Sequence, residues 1–248
     1  MIKFFKKNRQ RLLSENRFGR YIIYALGEIL IVIIGILLAI RINTWNNELT
    51  AKKHLAEVYN QIQKDLVIDT LSINEVINYY REKDKRIQDI LDKKIKPSFY
   101  NSITSHNIKE YSICRLETAS WELFKPMTKG YNLLTNSGLI NTISKDSLSD
   151  VINNFYINEL SSVETFNLKI SNLVYENIKV YEQYSWFADW ANNNYNKDYL
   201  TFVFEGETYR NQLVRNRIYT VKNYVTNLER YKIKSINILN SISEIQKQ

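Results

Sequence analysis

The sequence predicts an all-α protein, with an N-terminal single transmembrane helix followed by an extended, mostly antiparallel helical bundle. Glycine (6) and proline (2) are scarce among the 248 residues, whereas sheet-rich folds need turn residues at short, regular spacing. Apolar side chains also recur at alternating steps of three and four, as on one face of an α-helix. We divide the chain into a basic amphipathic cytoplasmic tail (1–20), a transmembrane helix (21–41) and an extracytoplasmic helical-bundle domain (42–248).

The tail holds most of the net charge of +8. We interpret its basic residues as a membrane-surface cluster that contacts anionic headgroups of the lipid bilayer; they are Lys3, Lys6, Lys7, Arg9, Arg11, Arg17 and Arg20. Interleaved apolar residues such as Phe4 and Leu12 fit an interfacial amphipathic helix, and a solvated basic tail is the alternative. Because the rest of the chain is nearly neutral, we expect no nucleic-acid partner.

The transmembrane helix is predicted from residues 21–40, which are apolar apart from Glu28 and the tyrosine hydroxyls. Twenty residues at ~1.5 Å each span the ~30 Å hydrocarbon core. No A-x-A-like site follows, so an uncleaved anchor is favoured over a signal peptide. Since the basic residues precede the span, the N-terminus is expected in the cytoplasm and the C-terminal domain in the periplasm, at the cytoplasmic (inner) membrane.

Glu28 is a costly residue inside a span. Three interpretations stay open: a neutral side chain bonded to the Tyr24 backbone carbonyl, a contact with another helix, or a proton or ion path. Small residues in the same segment would let two helices approach closely. A transmembrane helix contact is therefore predicted, with a second copy in a homo-oligomer or with another membrane protein, through Glu28, Gly27, Gly35 and Ala39.

The first helix of the bundle follows Trp45 and ends near Pro97. Its apolar residues form a heptad-like seam that fits a coiled coil or one long helix of a bundle: Tyr59, Ile62, Leu66, Ile73, Val76, Tyr80, Ile87 and Ile90. Two seam positions hold Asp69 and Lys83 instead, where they either set the pairing of helices or are simply exposed.

The remaining elements are expected in the following order. Residues 98–113 are predicted as a connection, and residues 117–125 as a helix that Pro126 kinks or ends. A short helix over 131–137 has Gly138 as its C-cap. A long helix runs to about residue 188 from Ser147, whose capping box includes Asp150, with Ser144 and Asp146 as alternative starts. Residues 189–211 are predicted as a polar loop with a β-favouring run at 200–204. An amphipathic C-terminal helix of about 40 residues completes the bundle.

The sequence predicts that the protein is not an enzyme and binds no metal or other cofactor. His54 and His106 lie far apart without a Cys partner, unlike zinc or iron sites. The sequence has no nucleophile, phosphate-loop or metalloprotease motif. Cys114 is expected to be a buried small hydrophobe, with an intermolecular bridge as the alternative. One aromatic cluster forms either a ligand site or a cap over the core: Trp186, Trp190, Tyr195 and Tyr199.

Three passages carry a resemblance to a known family, the third of which is the C-terminal amphipathic helix. The first contains Phe4, Phe5, Arg11, Leu12, Leu13, Glu15, Asn16, Tyr24, Gly27, Glu28, Ile29, Gly35, Ile36, Ala39, Asn43, Trp45 and Asn46. The second contains Leu134, Ser137, Gly138, Leu139, Ile143, Asp146, Leu148, Ile152, Phe155 and Tyr156. The chain resembles a family of single-pass membrane proteins of flavobacteria and related Bacteroidota, a domain of unknown function. Arg41 and Phe155 depart from the glutamine and tyrosine expected there.

The resemblance implies the same architecture and supplies no catalytic residue. Two function hypotheses follow from the sequence. The first is a non-enzymatic sensor, scaffold or partner-binding module held at the membrane by a single helix. The alternative is an oligomeric membrane effector or channel, for instance in stress or phage defence, that uses the transmembrane helix with Glu28.

Overall fold

The computed structural model describes residues 18–104, 106–136 and 147–247, with the backbone alone for residues 18, 20 and 21. No β-strand occurs in these ranges, which confirms the all-α prediction. The α-helices are α1 Phe18–Leu91, α2 Pro97–Tyr100, α3 Lys129–Asn136, α4 Ser147–Phe155, α5 Ser161–Tyr181, α6 Phe187–Ala191, α7 Lys197–Glu205, α8 Glu207–Arg217 and α9 Thr226–Ile245.

Short helices of other types complete the described part of the chain. Three 3-10 helices follow α2, at Ile108–Glu110, Ser112–Cys114 and Glu117–Ala119. Two π-helical stretches interrupt longer helices: Tyr156–Leu160 joins α4 to α5, and Ile218–Val225 joins α8 to α9. Residues 207–245 are thus helical throughout, as predicted for the C-terminal helix of about 40 residues.

The chain divides into two compact units, Met1–Ala56 and Glu57–Gln248. In the first unit the described residues belong to α1. The helix Ile22–Leu91 contains a stretch that is long and apolar enough to cross a membrane, and none of that stretch is buried within the chain. This stretch is the candidate for the membrane span that the sequence predicts.

In the second unit, α1 packs through the predicted seam. All eight apolar seam residues are buried, from Tyr59 to Ile90. Asp69 and Lys83 are buried as well, so the alternative that these two side chains are simply exposed is wrong. Both side chains form hydrogen bonds to a later segment of the chain. No sequence pattern indicated that this segment would lie against α1.

The C-terminal helices run antiparallel to α1 in this unit. Four side-chain contacts fix the register: Gln246 with Asn60, Lys232 with Asn74, Arg217 with Asp84, and Arg210 with the carbonyl of Leu91. Helix α5 and the π-helical stretch before it run antiparallel to the same C-terminal helices, as shown by Glu159 with Arg230, Glu176 with Arg215, and Tyr181 with Gln212. The antiparallel bundle predicted from the sequence is therefore present.

An irregular segment, residues 115–130, lies alongside these helices and is here called the threaded segment. Apart from the 3-10 turn at Glu117–Ala119 and the start of α3, it has no regular secondary structure. It runs antiparallel to α1, because Ser120 contacts Lys83 whereas Gly130 contacts Asp65. The predicted helix over 117–125 is wrong. Hydrogen bonds from distant side chains replace the helical hydrogen bonds that local sequence favoured.

Three further expectations differ from the structure. The helix predicted to reach residue 188 ends at Tyr181, and a separate helix α6 follows. Residues 189–211 are mostly helical instead of a polar loop. The β-favouring run at 200–204 lies in α7, which Asn196 caps by accepting a hydrogen bond from the Tyr199 amide. Burial of Leu200, Phe202 and Val203 on a helix outweighs local strand preference.

Candidate functional site

The threaded segment and the side chains that bind its backbone form the main polar site of the second unit. A backbone inside a fold must find hydrogen-bond partners, and a segment outside regular structure takes them from side chains. Here α1, α5 and the C-terminal helices supply these partners. The hydrogen bonds to the segment backbone therefore join residues that are up to 100 positions apart in the sequence, as in the bond between Phe124 and Tyr224.

Tyrosine hydroxyls from the helices satisfy much of this backbone. Tyr80 donates to the carbonyl of Glu122 (2.8 Å) and accepts from its amide (3.2 Å). Tyr209 accepts from the amide of Glu117 (2.9 Å), and Tyr224 accepts from that of Phe124 (2.7 Å). Burial raises the pKa of each hydroxyl, that of Tyr224 to about 12. The three tyrosines remain neutral hydrogen-bonding groups at any physiological pH.

Asparagine side chains of α5 complete the contacts from the other side. Asn177 donates to the carbonyl of Thr118 (3.1 Å), and Asn167 donates to that of Phe124 (2.9 Å). Asn167 also accepts from the Tyr224 hydroxyl at 2.7 Å. The Phe124 backbone is consequently held at both its amide and its carbonyl, while its ring is buried against Tyr231.

A buried cation and a buried anion lie where the segment begins. Lys83 donates to the Ser120 carbonyl at 2.6 Å, and its ammonium lies within 6 Å of the rings of Tyr79 and Tyr80. Burial lowers the pKa of Lys83 to about 8, against the opposing charge of Glu117. Glu117 accepts from Arg86 through both carboxylate oxygens, at 2.5 and 3.2 Å. The charged atoms of Lys83, Glu117 and Arg86 are thus occupied by contacts that hold the chain in place.

Two buried carboxylates lie where the segment ends. Asp69 accepts from the amide of Met127 at 2.9 Å and from the hydroxyl of Tyr231 at 2.8 Å. Asp65, one helical turn earlier, accepts from the amide of Gly130 at 2.6 Å. Helix α3 therefore begins against two acidic side chains of α1, which also favours its N-terminus electrostatically.

Glu159, on the π-helical stretch that precedes α5, forms a separate charged cluster with α9. It accepts from Arg230 at 3.0 Å and from Lys234 at 2.6 Å. Burial works to raise the pKa of Glu159, but these two hydrogen bonds outweigh it and the pKa lies below its usual value. The cluster ties the start of α5 to the C-terminal helix.

A groove of about 450 Å³ lies in the second unit, where α1 ends near the junction of α7 and α8. Its floor includes Ile90 and Val203, and its rim carries Lys93, Lys96 and Glu207. Lys93 has a φ of 54°, the left-handed conformation that glycine usually supplies after a helix. The groove therefore combines an apolar floor with charges of both signs.

The predicted aromatic cluster lies in the core next to this groove. Trp186 and Tyr199 are buried with ring centroids 5.3 Å apart, and Tyr199 also contacts Tyr195. Trp190 is partly buried and packs against Phe187. The structure brings all four into one core, and whether they serve as a cap or border a ligand stays a prediction. Cys114, predicted to be buried, is buried in the same core.

The residues of the predicted transmembrane contact lie on α1 in the first unit. Glu28 and Gly27 are exposed within the chain, as are Gly35 and Ala39. A Cβ atom added at either glycine would meet nothing within 4 Å. The contact itself stays a prediction. The basic cluster from Lys3 to Arg17 lies outside the described residues, as does the predicted C-cap Gly138, and the side chain of Arg20 is not described.

The described residues contain no group of three or more His, Cys, Asp or Glu side chains arranged to hold a metal ion. Sequence reasoning missed the tyrosines and asparagines of the site, since no local motif marks a side chain that binds a backbone a hundred residues away. The one usable signal was the pair of polar residues, Asp69 and Lys83, inside an apolar seam.

Comparison with known proteins gives one match. The family model DUF6090, described as a family of unknown function, matches residues 28–173. That is more than half of the chain. The protein belongs to DUF6090. The matched region of this DUF6090 protein includes the threaded segment together with Asp65, Asp69 and Lys83, whereas Tyr209, Tyr224 and Tyr231 lie beyond it. No curated protein and no solved structure matches the chain.

Proposed function

We propose that this DUF6090 protein is a single-pass protein of the cytoplasmic (inner) membrane whose helical domain acts in the periplasm as a non-enzymatic sensor, scaffold or partner-binding module. The observation that carries the proposal is the apolar stretch of α1, which is unburied within the chain. Hydrocarbon is the medium that such a surface favours. The excess of Lys and Arg before the stretch supports a cytoplasmic N-terminus.

The interior of the domain supports a structural use of its charged groups. Lys83 and Asp69 bind the backbone of the threaded segment, and Glu117 binds Arg86. A general acid or base must instead reach a proton of its substrate. We therefore assign recognition to the exposed surface of the helices and to the groove next to Lys93, in preference to the polar interior.

Topology reporters test the placement of the domain. Alkaline phosphatase fused after Gln248 should be active, because it folds to activity outside the cytoplasm, and a fluorescent protein fused at the same place should stay dark. A fluorescent protein fused before Met1 should be bright and serves as the matched control. The reverse pattern would place the domain in the cytoplasm and refute the proposal.

Site-specific photocrosslinking in cells tests the binding role. A photoreactive amino acid at Leu168 or Ile233, both strongly exposed, should give discrete adducts with a partner. The same amino acid at Ile236, which is less exposed, provides a graded control on α9. The absence of adducts from every exposed position scanned on α5 and α9 would argue against a partner-binding module.

The second candidate is an oligomeric membrane effector or channel that uses the Glu28 helix. It is favoured by the open surface at Gly27 and Gly35, which leaves room for a second helix. Glu28→Gln should then reduce both oligomer formation and ion flux in cells that overproduce the protein, because a carboxyl group in a span is a strong helix contact. Unchanged flux in this variant would exclude the channel.

A further inference from the structure

We propose that Asp65 and Asp69 form an acid-strengthened latch, in which proton uptake by Asp69 tightens the hold of α1 on the end of the threaded segment. The latch would regulate the domain of the proposed sensor or binding module, and in that sense it rests on the proposed function. It concerns residues 127–130 and the start of α3, where the segment meets two carboxylates.

The latch is built from two hydrogen bonds between buried groups. Each carboxylate accepts one backbone amide of the same short stretch: Asp69 that of Met127 at 2.9 Å, and Asp65 that of Gly130 at 2.6 Å. Both acidic side chains are buried, with 0% and 1% of their surface exposed for Asp69 and Asp65. Any loosening of the segment must break these bonds, so the protonation state of Asp69 bears directly on its opening.

The segment is also in very close contact with α1 at this point. A Cβ atom at Gly130 would lie 2.6 Å from the backbone nitrogen and the side chain of Ile62. Such a distance is available to glycine alone without a shift of one element. Any opening of the stretch therefore has to lift Gly130 away from Ile62.

No cation among the described residues compensates the charge of Asp69. The titratable groups facing it are Asp65 on α1, Tyr156 on the π-helical stretch and Tyr231 on α9, and Tyr131 of α3 stacks on Tyr156. None of them is a cation. The Asp65 carboxylate adds repulsion, and the Tyr156 hydroxyl has no hydrogen-bond partner among the described residues. Within the described part of the chain, a carboxylate here is stabilised by the hydrogen bonds from Met127 and Tyr231.

The sign of the pH effect follows from these surroundings. Burial raises the pKa of Asp69 from 3.8 to about 6, outweighing the hydrogen bonds from Met127 and Tyr231. In the open state the side chain is hydrated and titrates near its ordinary value. The closed state therefore binds more protons than the open state between about pH 4 and pH 6, and closing is favoured as the pH falls through this window. Above it the charged carboxylate weakens the latch.

Protonation removes the buried charge and reverses one hydrogen bond. The proton comes from solvent and resides on the carboxyl oxygen that faces Tyr231. The Tyr231 hydroxyl, 2.8 Å away, then accepts from Asp69 instead of donating to it, and its own proton rotates away from the carboxyl group. The other carboxyl oxygen keeps the bond from the Met127 amide. Protonation thus removes a buried charge without removing the contact to the segment.

Hydrogen–deuterium exchange of the full-length protein in detergent micelles tests the latch. The amides of Met127 and Gly130 report opening directly, after correction for the pH dependence of intrinsic exchange. We expect their protection factors to rise about tenfold to a hundredfold between pH 6.5 and pH 4.5, as the shift in pKa implies. Unchanged or falling protection over this range in the wild-type protein would overturn the proposal.

Three variants separate the latch from general acid effects. Asp69→Asn imitates the neutral side chain, so protection at residues 127–130 should be high at pH 6.5 and independent of pH. Asp65→Asn retains Asp69 and should keep the pH response. Glu159→Gln removes a carboxylate that is already paired with Arg230 and Lys234, and should keep it too. A response lost equally in all three would show a global effect and contradict the latch.

The outcome is independent of the compartment that holds the domain, since the exchange is measured on purified protein. If protection rises at low pH but the topology reporters place the domain in the cytoplasm, the latch is kept and the proposed function is rejected. If protection does not change with pH but the reporters place the domain in the periplasm, the latch is rejected and the proposed function is kept.

Discussion

Tyr156 and Tyr224 show how differently two buried hydroxyls contribute to the same domain. The Tyr156 hydroxyl is buried without a hydrogen-bond partner among the described residues. We expect Tyr156→Phe to leave the free energy of unfolding unchanged or to raise it by up to about 1 kcal/mol, because the removed group is desolvated and unpaired. Urea unfolding at pH 7.5, followed by circular dichroism, measures the difference.

Tyr224→Phe is the matched variant, with the same atom removed from a bonded tyrosine. It leaves the Phe124 amide and the Asn167 side chain without their common partner. The free energy of unfolding should fall by about 1–3 kcal/mol, as is usual when buried groups lose a hydrogen bond. Equal effects of the two substitutions would show that the hydroxyl of Tyr224 does not hold the threaded segment.

Gly130 is a second residue whose effect follows from its immediate neighbours. Gly130→Ala should lower the free energy of unfolding by about 1–3 kcal/mol, because the added methyl group overlaps the backbone of Ile62 and forces α3 away from α1. Gly27→Ala is the control, since its added Cβ meets nothing within 4 Å. Denaturant unfolding of the second unit should be insensitive to this control, and a normal midpoint for Gly130→Ala would contradict the close contact.

The elements of this fold differ in how far the sequence predicts them. The seam of α1 was predictable because apolar residues at helical spacing must be buried together, and all eight of them are. The threaded segment was not predictable, because its backbone partners, such as Tyr80 and Asn177, are fixed by tertiary packing alone. The local signal of Glu117, Phe124 and Pro126 indicated a helix that those distant side chains replace.

The polar site was predictable to the same limited extent. Asp69 and Lys83 stood out as polar residues in an apolar seam, but their targets, the backbones of Met127 and Ser120, carry no mark in the sequence. Helix α7 was mispredicted for a different reason, because its local signals were present but wrongly weighed. A strand-favouring run there was given more weight than Asn196, a residue type typical of helix N-caps.

The N-cap of α7 gives a prediction at the scale of one element. Asn196→Ala should lower the free energy of unfolding by about 1 kcal/mol, because the Tyr199 amide loses its acceptor at 3.0 Å. Asn194→Ala is the control, an exposed asparagine in the same turn, whose replacement should change stability by less than about 0.5 kcal/mol. Thermal unfolding of the two variants side by side checks the cap, and equal midpoints would contradict it.

The whole second unit is a bundle in which one position is taken by the threaded segment in place of a helix. Helices α1, α5 and the C-terminal pair α8 and α9 supply the hydroxyl, amide and charged groups that such a segment needs. The domain cannot lose one of these helices without leaving part of the buried backbone unpaired. Its cooperative unit therefore includes residues beyond the region that matches DUF6090, among them Tyr209 and Tyr224.

The whole molecule carries exposed apolar side chains in both units, and only those of the candidate span should govern membrane association. Ile31 and Leu37 in the span are 62% and 60% exposed, whereas Leu71 and Ile233 in the second unit are 61% and 60% exposed. We expect the double variant Ile31→Arg with Leu37→Arg to shift the protein from the membrane fraction to the soluble fraction, since each charge in mid-span costs about 2.5–3.5 kcal/mol. Alkaline extraction of membranes followed by immunoblotting measures the distribution.

Leu71→Arg with Ile233→Arg is the matched control: it adds the same charge at the same exposure and should stay with the membrane. Retention of both variants would mean that residues 22–40 do not anchor the protein, and release of both would mean that the exposed surface of the second unit contributes to anchoring.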